Sequence, residues 1–351
     1  MNTPSHADSP QSVSLGIDIG GTKIAFGLID DSAPTQLLVH ERVASQAGQG
    51  IHQALTEVLQ RARELAAQRG LCVSRIGVGS PGVVDPARGV VVSASPTIAH
   101  WPGTDLYSFV DAVFPDIPVA IHNDVRVWAF GEHRLGAGRD FPHSRVLYVS
   151  LGTGVGGAIV DNGQLLDSPQ GTAGEINELL ASDFRGRADR AENIASGESL
   201  ARYYNELRAN PQVGRIAWRE RRAGEVDLAE VLRRAEVGDE LASRIISGNL
   251  AGLGAALGGL ARACDIAAVV LGGGVAGIGP FVREQVQRGL REWLPSDNPE
   301  IAVVGSRFQA HEAPAVLAAA EYARHGQVTQ RRSGTYEQPA PTREYLDRTG
   351  E

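Results

Sequence analysis

The chain has 351 residues, 42% of them hydrophobic and 21% charged, with a formal net charge of −8. That is enough for a sizeable core and suggests two domains, while the acidic balance without a clustered basic face excludes a nucleic-acid footprint. No run of about 18 or more apolar residues occurs, so no membrane span is expected. The first dozen residues have neither a basic start nor an apolar core, so no secretory signal is expected. With only Cys72 and Cys264, two buried free thiols in a reducing cytoplasm are expected rather than a disulfide framework or a cysteine zinc site.

Residues 1–12 are polar and proline-containing and read as a loose tail. Val13 to Asp30, VSLGIDIGGTKIAFGLID, reads as strand, tight turn, strand. Leu15, Ile17 and Ile19 form one apolar run, and Ile24, Phe26, Leu28 and Ile29 another. Gly20, Gly21, Thr22 and Lys23 lie between them. Adjacent glycines admit backbone angles closed to other residues, so the turn can expose its N–H groups. With a hydroxyl and an ammonium these make a phosphate cradle. Asp18, just before the turn, is placed to organise a hydrated Mg²⁺. Taken alone, the stretch reads at least as well as an ordinary hairpin with a flexible tip.

A third strand is expected over Gln36 to Val43. Gly50 to Arg69 is an amphipathic helix, with Ile51, Leu55, Val58, Leu59 and Leu65 at helical spacing and Gly70 as its stop. Ser74 to Gly79 is a strand followed by a turn through Pro81, Gly82 and Asp85, and Val90 to Ala94 is another strand. Leu106 to Phe114 is a short helix. Ile117 to His122 is a strand that ends at Asn123 and Asp124, ahead of a helix from Val125 to His133. Open α/β sheets place ligands at such strand ends. Asn-Asp before a helix is also an ordinary N-cap.

The pattern then restarts. Val146 to Leu151 is a strand, residues 152–157 are GTGVGG, and Ala158 to Val160 is a strand. The string fits G-x-G-x-x-G, but a dinucleotide turn must open a helix. Here a strand follows, with its own Asp161-Asn162-Gly163 hairpin. This is a second strand–glycine turn–strand unit, and its repetition of residues 13–30 is harder to assign to chance than either copy. Gly171 to Glu178 is an acidic, glycine-bearing loop. Gly197 to Asp265 is mostly helical, clearest over Asp227 to Arg233 and Leu241 to Cys264. Ile266 to Leu271 is a buried strand ending in Gly272, Gly273 and Gly274. A helix (Phe281 to Trp293), a strand (Ile301 to Val304) and a last helix (Ala313 to Arg324) follow, and residues 326–351 read as a disordered tail.

Six segments together carry a recognisable signature: GIDIGGTK at 16–23, GSPGVVD at 79–85, HNDVRVWAFGE at 122–132, LGTGVGG at 151–157, GTAGE at 171–175 and LGGGV at 271–275. In this order, over residues 13–325, the chain resembles the ROK family of sugar kinases in the actin-like ATPase superfamily. The resemblance implies an α/β fold of two actin-like, ribonuclease H-like lobes around a cleft. The N-terminal lobe would span residues 13–124 and be completed by the helix at 313–325, and the C-terminal lobe would span 125–312. It implies ATP and Mg²⁺ as cofactors and a small-molecule polyol as partner, and it allows a homodimer. Thr22 and Lys23 would grip the phosphates from one side with Gly20 and Gly21. Gly152, Thr153 and Gly154 would grip them from the other, and Gly272 to Gly274 would approach the adenosine. Asp124 would be the general base and Asp18 would hold Mg²⁺ through water. Asn123, Glu175, Glu192 and Gly82 would face the acceptor, where carboxylates suit a polyol because each accepts several hydroxyl bonds.

Three departures bear on that acceptor. Where the family reads G-E-I-G-H, this chain has Gly174-Glu175-Ile176-Asn177-Glu178. The family's cysteine pattern C-x-C-G-x-x-G-C is missing between Leu179 and Ala191, so no structural zinc is expected. The asparagine of P-N-L-P-G-W is replaced by Thr97. A carboxylate at 178 is acceptor-only when ionised, and a site built for one hydroxyl pattern rejects another. The expected acceptor is therefore a C7-cyclitol of the valienone or valiolone type, phosphorylated on its exocyclic primary hydroxyl in secondary metabolism, nearly matched by a hexose or aminosugar. A non-catalytic sugar-binding regulator is the alternative of another class. The dozen residues before the first strand are too few for a helix-turn-helix unit.

Overall fold

The computed structural model describes residues 10–46, 48, 50–94, 98–166, 168, 171–294, 300–308 and 313–330. The N-terminal half contains β1 (Gln11–Ile19), β2 (Lys23–Asp30), β3 (Leu37–Ala44), α1 (Ile51–Gln68), β4 (Leu71–Ser80), β5 (Val83–Asp85), β6 (Val90–Ser93), α2 (Leu106–Val113), β7 (Val119–Asn123) and α3 (Asp124–Leu135). Five of these strands form a sheet of order β3-β2-β1-β4-β7. The first three pair antiparallel, and β4 and β7 continue parallel to β1. Side chains alternate across β1. Leu15, Ile17 and Ile19 are buried in one cluster with the apolar stripe of α1 (Ile51, Leu55, Val58, Leu59). Gly16 and Asp18 face the other side.

The second half runs through β8 (Val146–Leu151), β9 (Val155–Asp161), β10 (Gln164–Leu165), β11 (Leu180–Ser182), β12 (Ala188–Arg190), α4 (Ala191–Ala195), α5 (Gly197–Ala209), α6 (Leu228–Glu236), α7 (Glu240–Ala263), β13 (Ala268–Gly272), α8 (Gly273–Ala276), α9 (Pro280–Trp293), β14 (Ala302–Gly305) and α10 (Pro314–His325). Its sheet has the order β10-β9-β8-β13-β14, again three antiparallel strands followed by two parallel ones. The duplication read from two glycine turns therefore extends to whole sheets.

α10 crosses back onto the first sheet, and glycines make the room. A Cβ on Gly16 would lie 2.1 Å from the Val316 carbonyl oxygen, one on Gly77 1.7 Å from that of Ala319, and one on Gly131 of α3 2.4 Å from the Ala318 Cβ. Buried Glu321 on α10 accepts from Arg134 of α3 at 2.7 Å.

The chain ends differ from the loose tails expected. Gln11 and Ser12 extend β1, paired with Leu71 and Cys72, and Gln11 donates to Asp30 at 2.7 Å. Residues 326–330 are held by buried Thr329. Its N–H donates to the Val119 carbonyl, and its hydroxyl donates to the Pro86 carbonyl and accepts from the Ile121 N–H. That covers an edge of β7 whose polar groups would otherwise be bare. Residues 1–9 and 331–351 lie outside the described residues. Residues 210–227 are irregular rather than helical, and a β11–β12 hairpin occupies a stretch where no strand was expected.

Candidate active site

The parallel strands β1, β4 and β7 bring Asp18, Gly79 and His122 into register. Asp124 follows two residues after His122, as the first residue of α3. Gly79 leaves space for it: a Cβ there would lie 3.4 Å from the Asp124 Cα. The helix is capped by Asn123, whose Oδ1 accepts from the Arg126 N–H at 3.1 Å. Both hydrogens of the Asn123 amide are committed as well, to the Gly82 carbonyl and to Asp124 Oδ1, each at 3.0 Å. Gly82 serves this bond with its carbonyl, in a left-handed conformation (φ 92°) that a side chain would strain. Asn123 and Gly82, expected to touch the acceptor, also fix Asp124 through these bonds. The cap reading belongs to Asn123 and leaves Asp124 its carboxylate.

Asp124 accepts from the Val125 N–H at 2.9 Å on the same Oδ1. Burial pushes its carboxyl above the ordinary range, against those local hydrogen bonds. Burial also pushes Asp18 up, to about 6, with the nearby Asp124 adding to the rise and Lys23 and Arg42 opposing it. Two neighbouring carboxyls, with Asp124 pushing Asp18 up, leave a place for a cation. Among the described residues no group of three or more His, Cys, Asp or Glu side chains forms a metal cage. Such a cation would be held by one or two carboxylates together with phosphate oxygens, the habit of Mg²⁺.

The two glycine turns cap β1–β2 and β8–β9. Neither owes its shape to left-handed backbone, as the sequence had suggested: Gly20, Gly21, Gly152 and Gly154 all lack a positive φ. Their contribution is room. A Cβ on Gly21 or Gly152 would meet nothing within 4 Å, so the backbone is open to an approaching group. Gly273 is different: it has φ 87°, and a Cβ would lie 2.4 Å from the Leu151 carbonyl oxygen. A cleft of about 590 Å³ lies between the halves, lined by Asp18, Lys23, His40, Arg42, Trp128 and Gly272–Gly274. A second cavity of about 430 Å³ is lined by Gly152, Thr153, Glu198, Arg221, Asp227 and Gly274.

On the acceptor side, buried Arg126 of α3 donates to the carbonyls of Leu166, Gly171 and Ala173. It straps down the loop that carries Glu175. Burial pushes the Glu175 carboxyl up, with Arg126 opposing and Asp124 and Glu192 adding to the rise. Asp124, Glu175 and Glu192 therefore form one acidic group. Glu192 Oε2 accepts from the Val155 N–H at 3.2 Å, beside the second glycine turn. Glu178 stands apart, half exposed and paired with Arg190 at 3.1 Å. Thr97 lies outside the described residues. Where the zinc pattern is missing, the turn between β11 and β12 is organised by buried Asp183. It accepts from the N–H groups of Arg185 and Arg187 and pairs with the Arg185 guanidinium at 2.7 Å. An internal ion pair and hydrogen bonds thus hold this loop.

The sequence reading missed Arg126, Trp128, His40 and Arg42. HNDVRVWAFGE contains the first two, and the i, i+4 spacing of Arg126 from Phe130 was a visible sign that this face of α3 is buried. Nothing local marks the β3 pair, which reaches the cleft through strand pairing.

A family model described as "ROK family" matches residues 14–324. A glucokinase of Streptomyces coelicolor is 29% identical over 82% of this chain and 89% of its own length. An N-acetylmannosamine kinase of Yersinia pestis is 28% identical over 74% and 82%. The solved ROK family glucokinase of Streptomyces griseus, in complex with glucose and AMPPNP, superposes with a TM-score of 0.69 at 29% identity, covering 90% of this chain and all of that one (100%).

Proposed function

The chain belongs to the ROK family, and from that premise we propose that it transfers the γ-phosphoryl group of ATP to the exocyclic primary hydroxyl of a hexose-type sugar, with Asp124 as general base. It is a phosphotransferase with an alcohol acceptor and uses ATP with Mg²⁺. The observation that carries the residue assignment is the convergence of Asp18 and Asp124 at the ends of β1 and β7, on either side of Gly79 in β4, each raised by burial. A carboxylate closer to neutrality is a better base for a hydroxyl proton. Oδ1 of Asp124 is engaged by Asn123 and Val125, so Oδ2 is assigned to the attacking hydroxyl. The proton passes to Asp124 as the oxygen–phosphorus bond forms. Lys23 and the N–H groups of both glycine turns receive the charge on the transferring oxygens. Asp18 would hold Mg²⁺ through water, and the ion would neutralise phosphate charge. Glu175 and Glu192 accept from the sugar hydroxyls.

The names of the relatives, glucokinase and N-acetylmannosamine kinase, support a hexose or an N-acetylated aminosugar as the acceptor. The cyclitol expectation rested on Thr97 and Glu178, and Glu178 is spent on Arg190 at the surface. A coupled assay with ATP·Mg²⁺ against hexoses, aminosugars and C7-cyclitols tests both parts. Asp124→Asn is expected to lose roughly 10²- to 10⁴-fold in kcat. Sugar-stimulated turnover that ignores this substitution would sink the base assignment, and a cyclitol outpacing every hexose would overturn the acceptor.

A further inference from the structure

The β2–β3 register pairs Ala25 with Arg42 and Gly27 with His40, and the β1–β2 register pairs Asp18 with Ala25. Directly paired residues share a face, and residues two apart stay on it. Asp18, Lys23, His40 and Arg42 therefore share the face that meets the start of α10, and all four line the 590 Å³ cleft. The other described residues of the lining carry no charge. The wall thus sets three basic side chains against one acid. Only Lys23 belongs to the phosphate turn.

His40 also has a buried Nε2 with no hydrogen-bond partner. A covered polar atom without a partner calls for an explanation. No protein group fixes the charge of this ring, so the charges of the cleft decide it. With the cleft empty of anions, burial and the neighbouring Arg42 and Lys23 all hold the imidazole below its ordinary pKa. A polyanion in the cleft reverses the sign of that field.

We infer that His40 and Arg42 extend the phosphate grip of Thr22 and Lys23, and that binding of a magnesium-bound nucleoside triphosphate draws one proton from solvent onto His40. This rests on reading the cleft as the donor site. The sign follows from linkage: the bound state has the higher imidazole pKa, so affinity is greatest at low pH and falls as pH rises through that value. Arg42 is exposed and stays charged, so its contribution is independent of pH.

Calorimetric titration with Mg·AMPPNP between pH 6.5 and 8.5, in buffers of different ionisation enthalpy, reads the proton directly. The full chain is expected to take up a proton, with affinity falling about tenfold per unit of His40 pKa shift across the range. His40→Gln should abolish the uptake and flatten the pH dependence, and His40→Asn serves should that variant misfold. Arg42→Ala should weaken binding about tenfold at every pH, with KM for the sugar within twofold of the parent. Unchanged proton uptake in the His40 variants, or unchanged binding by Arg42→Ala, overturns the inference. Proton-linked binding without transfer to any sugar sinks the kinase reading alone. Transfer without proton uptake sinks this one alone, and failure to bind the nucleotide sinks both.

Discussion

The two sheets repeat one strand order and one glycine turn, yet the turns are dressed differently. The first is tied within its own half: the Gly21 carbonyl accepts from Ser45 Oγ at 2.6 Å, and the Thr22 carbonyl accepts from the Ser45 N–H at 3.1 Å. Its side chains are Thr22 and the cation Lys23. The second is tied to the helices beyond it: the Gly152 carbonyl accepts from the Gly197 N–H at 2.9 Å, and the carboxylate of Glu192 sits on the Val155 N–H. A duplicated backbone has thus been divided by charge. On the proposed reading, one half would bring bases to the phosphates and the other acids to the sugar. Glu192 stands where the two meet.

The comparison is tested most severely at Lys23. Lys23→Ala is expected to lower kcat/KM for ATP about 10²-fold, because a preorganised charge on the transferring group is lost; a loss under threefold would mean the first turn is not the charged jaw. Gly21→Ala and Gly152→Ala probe the shared backbone. A Cβ at either position meets nothing in the protein, so Tm should hold while KM for ATP rises about tenfold through crowding of the ligand. A fall in Tm would show that these glycines serve the fold instead. Glu192→Gln separates the jaws: KM for the sugar should rise about fivefold, with KM for ATP changing less than twofold. At Asp18 the effect is one of pH. Its carboxyl, pushed up to about 6, must ionise to receive the cation. Activity should therefore fall on acidification through pH 6, at least tenfold per unit because Asp124 must be ionised too, and Asp18→Asn should shift that limb and leave the part set by Asp124. The smallest effect is expected for Ser45→Ala, which loses one hydrogen bond and about 1 kcal/mol of stability, read by chemical denaturation.

Where the signal is local, the sequence carries it well. Both glycine turns, the strand ending at Asn123-Asp124 and the stripe of α1 follow from spacing and composition alone. What is not legible depends on which distant strand or helix lies alongside. A motif does not record that the two amide hydrogens of Asn123 are taken by Gly82 and Asp124. Nor does it record that Glu178 pairs with Arg190, across a hairpin no periodicity announces. Thr329 was assigned to a tail by its polar neighbours, although it satisfies three backbone groups of the first sheet and the turn beside it. In each case a long-range pairing overrides a local reading.

The seating of α10 has a consequence for biosynthesis. The first sheet presents Gly16 and Gly77 on a face that α3 covers only in part until residues 314–325 have been made. Five strands that are complete early in translation must wait for the last helix before that face is closed. The nascent N-terminal half therefore leaves the ribosome as an unfinished domain, dependent on the far end of its own chain or on a chaperone to mask it.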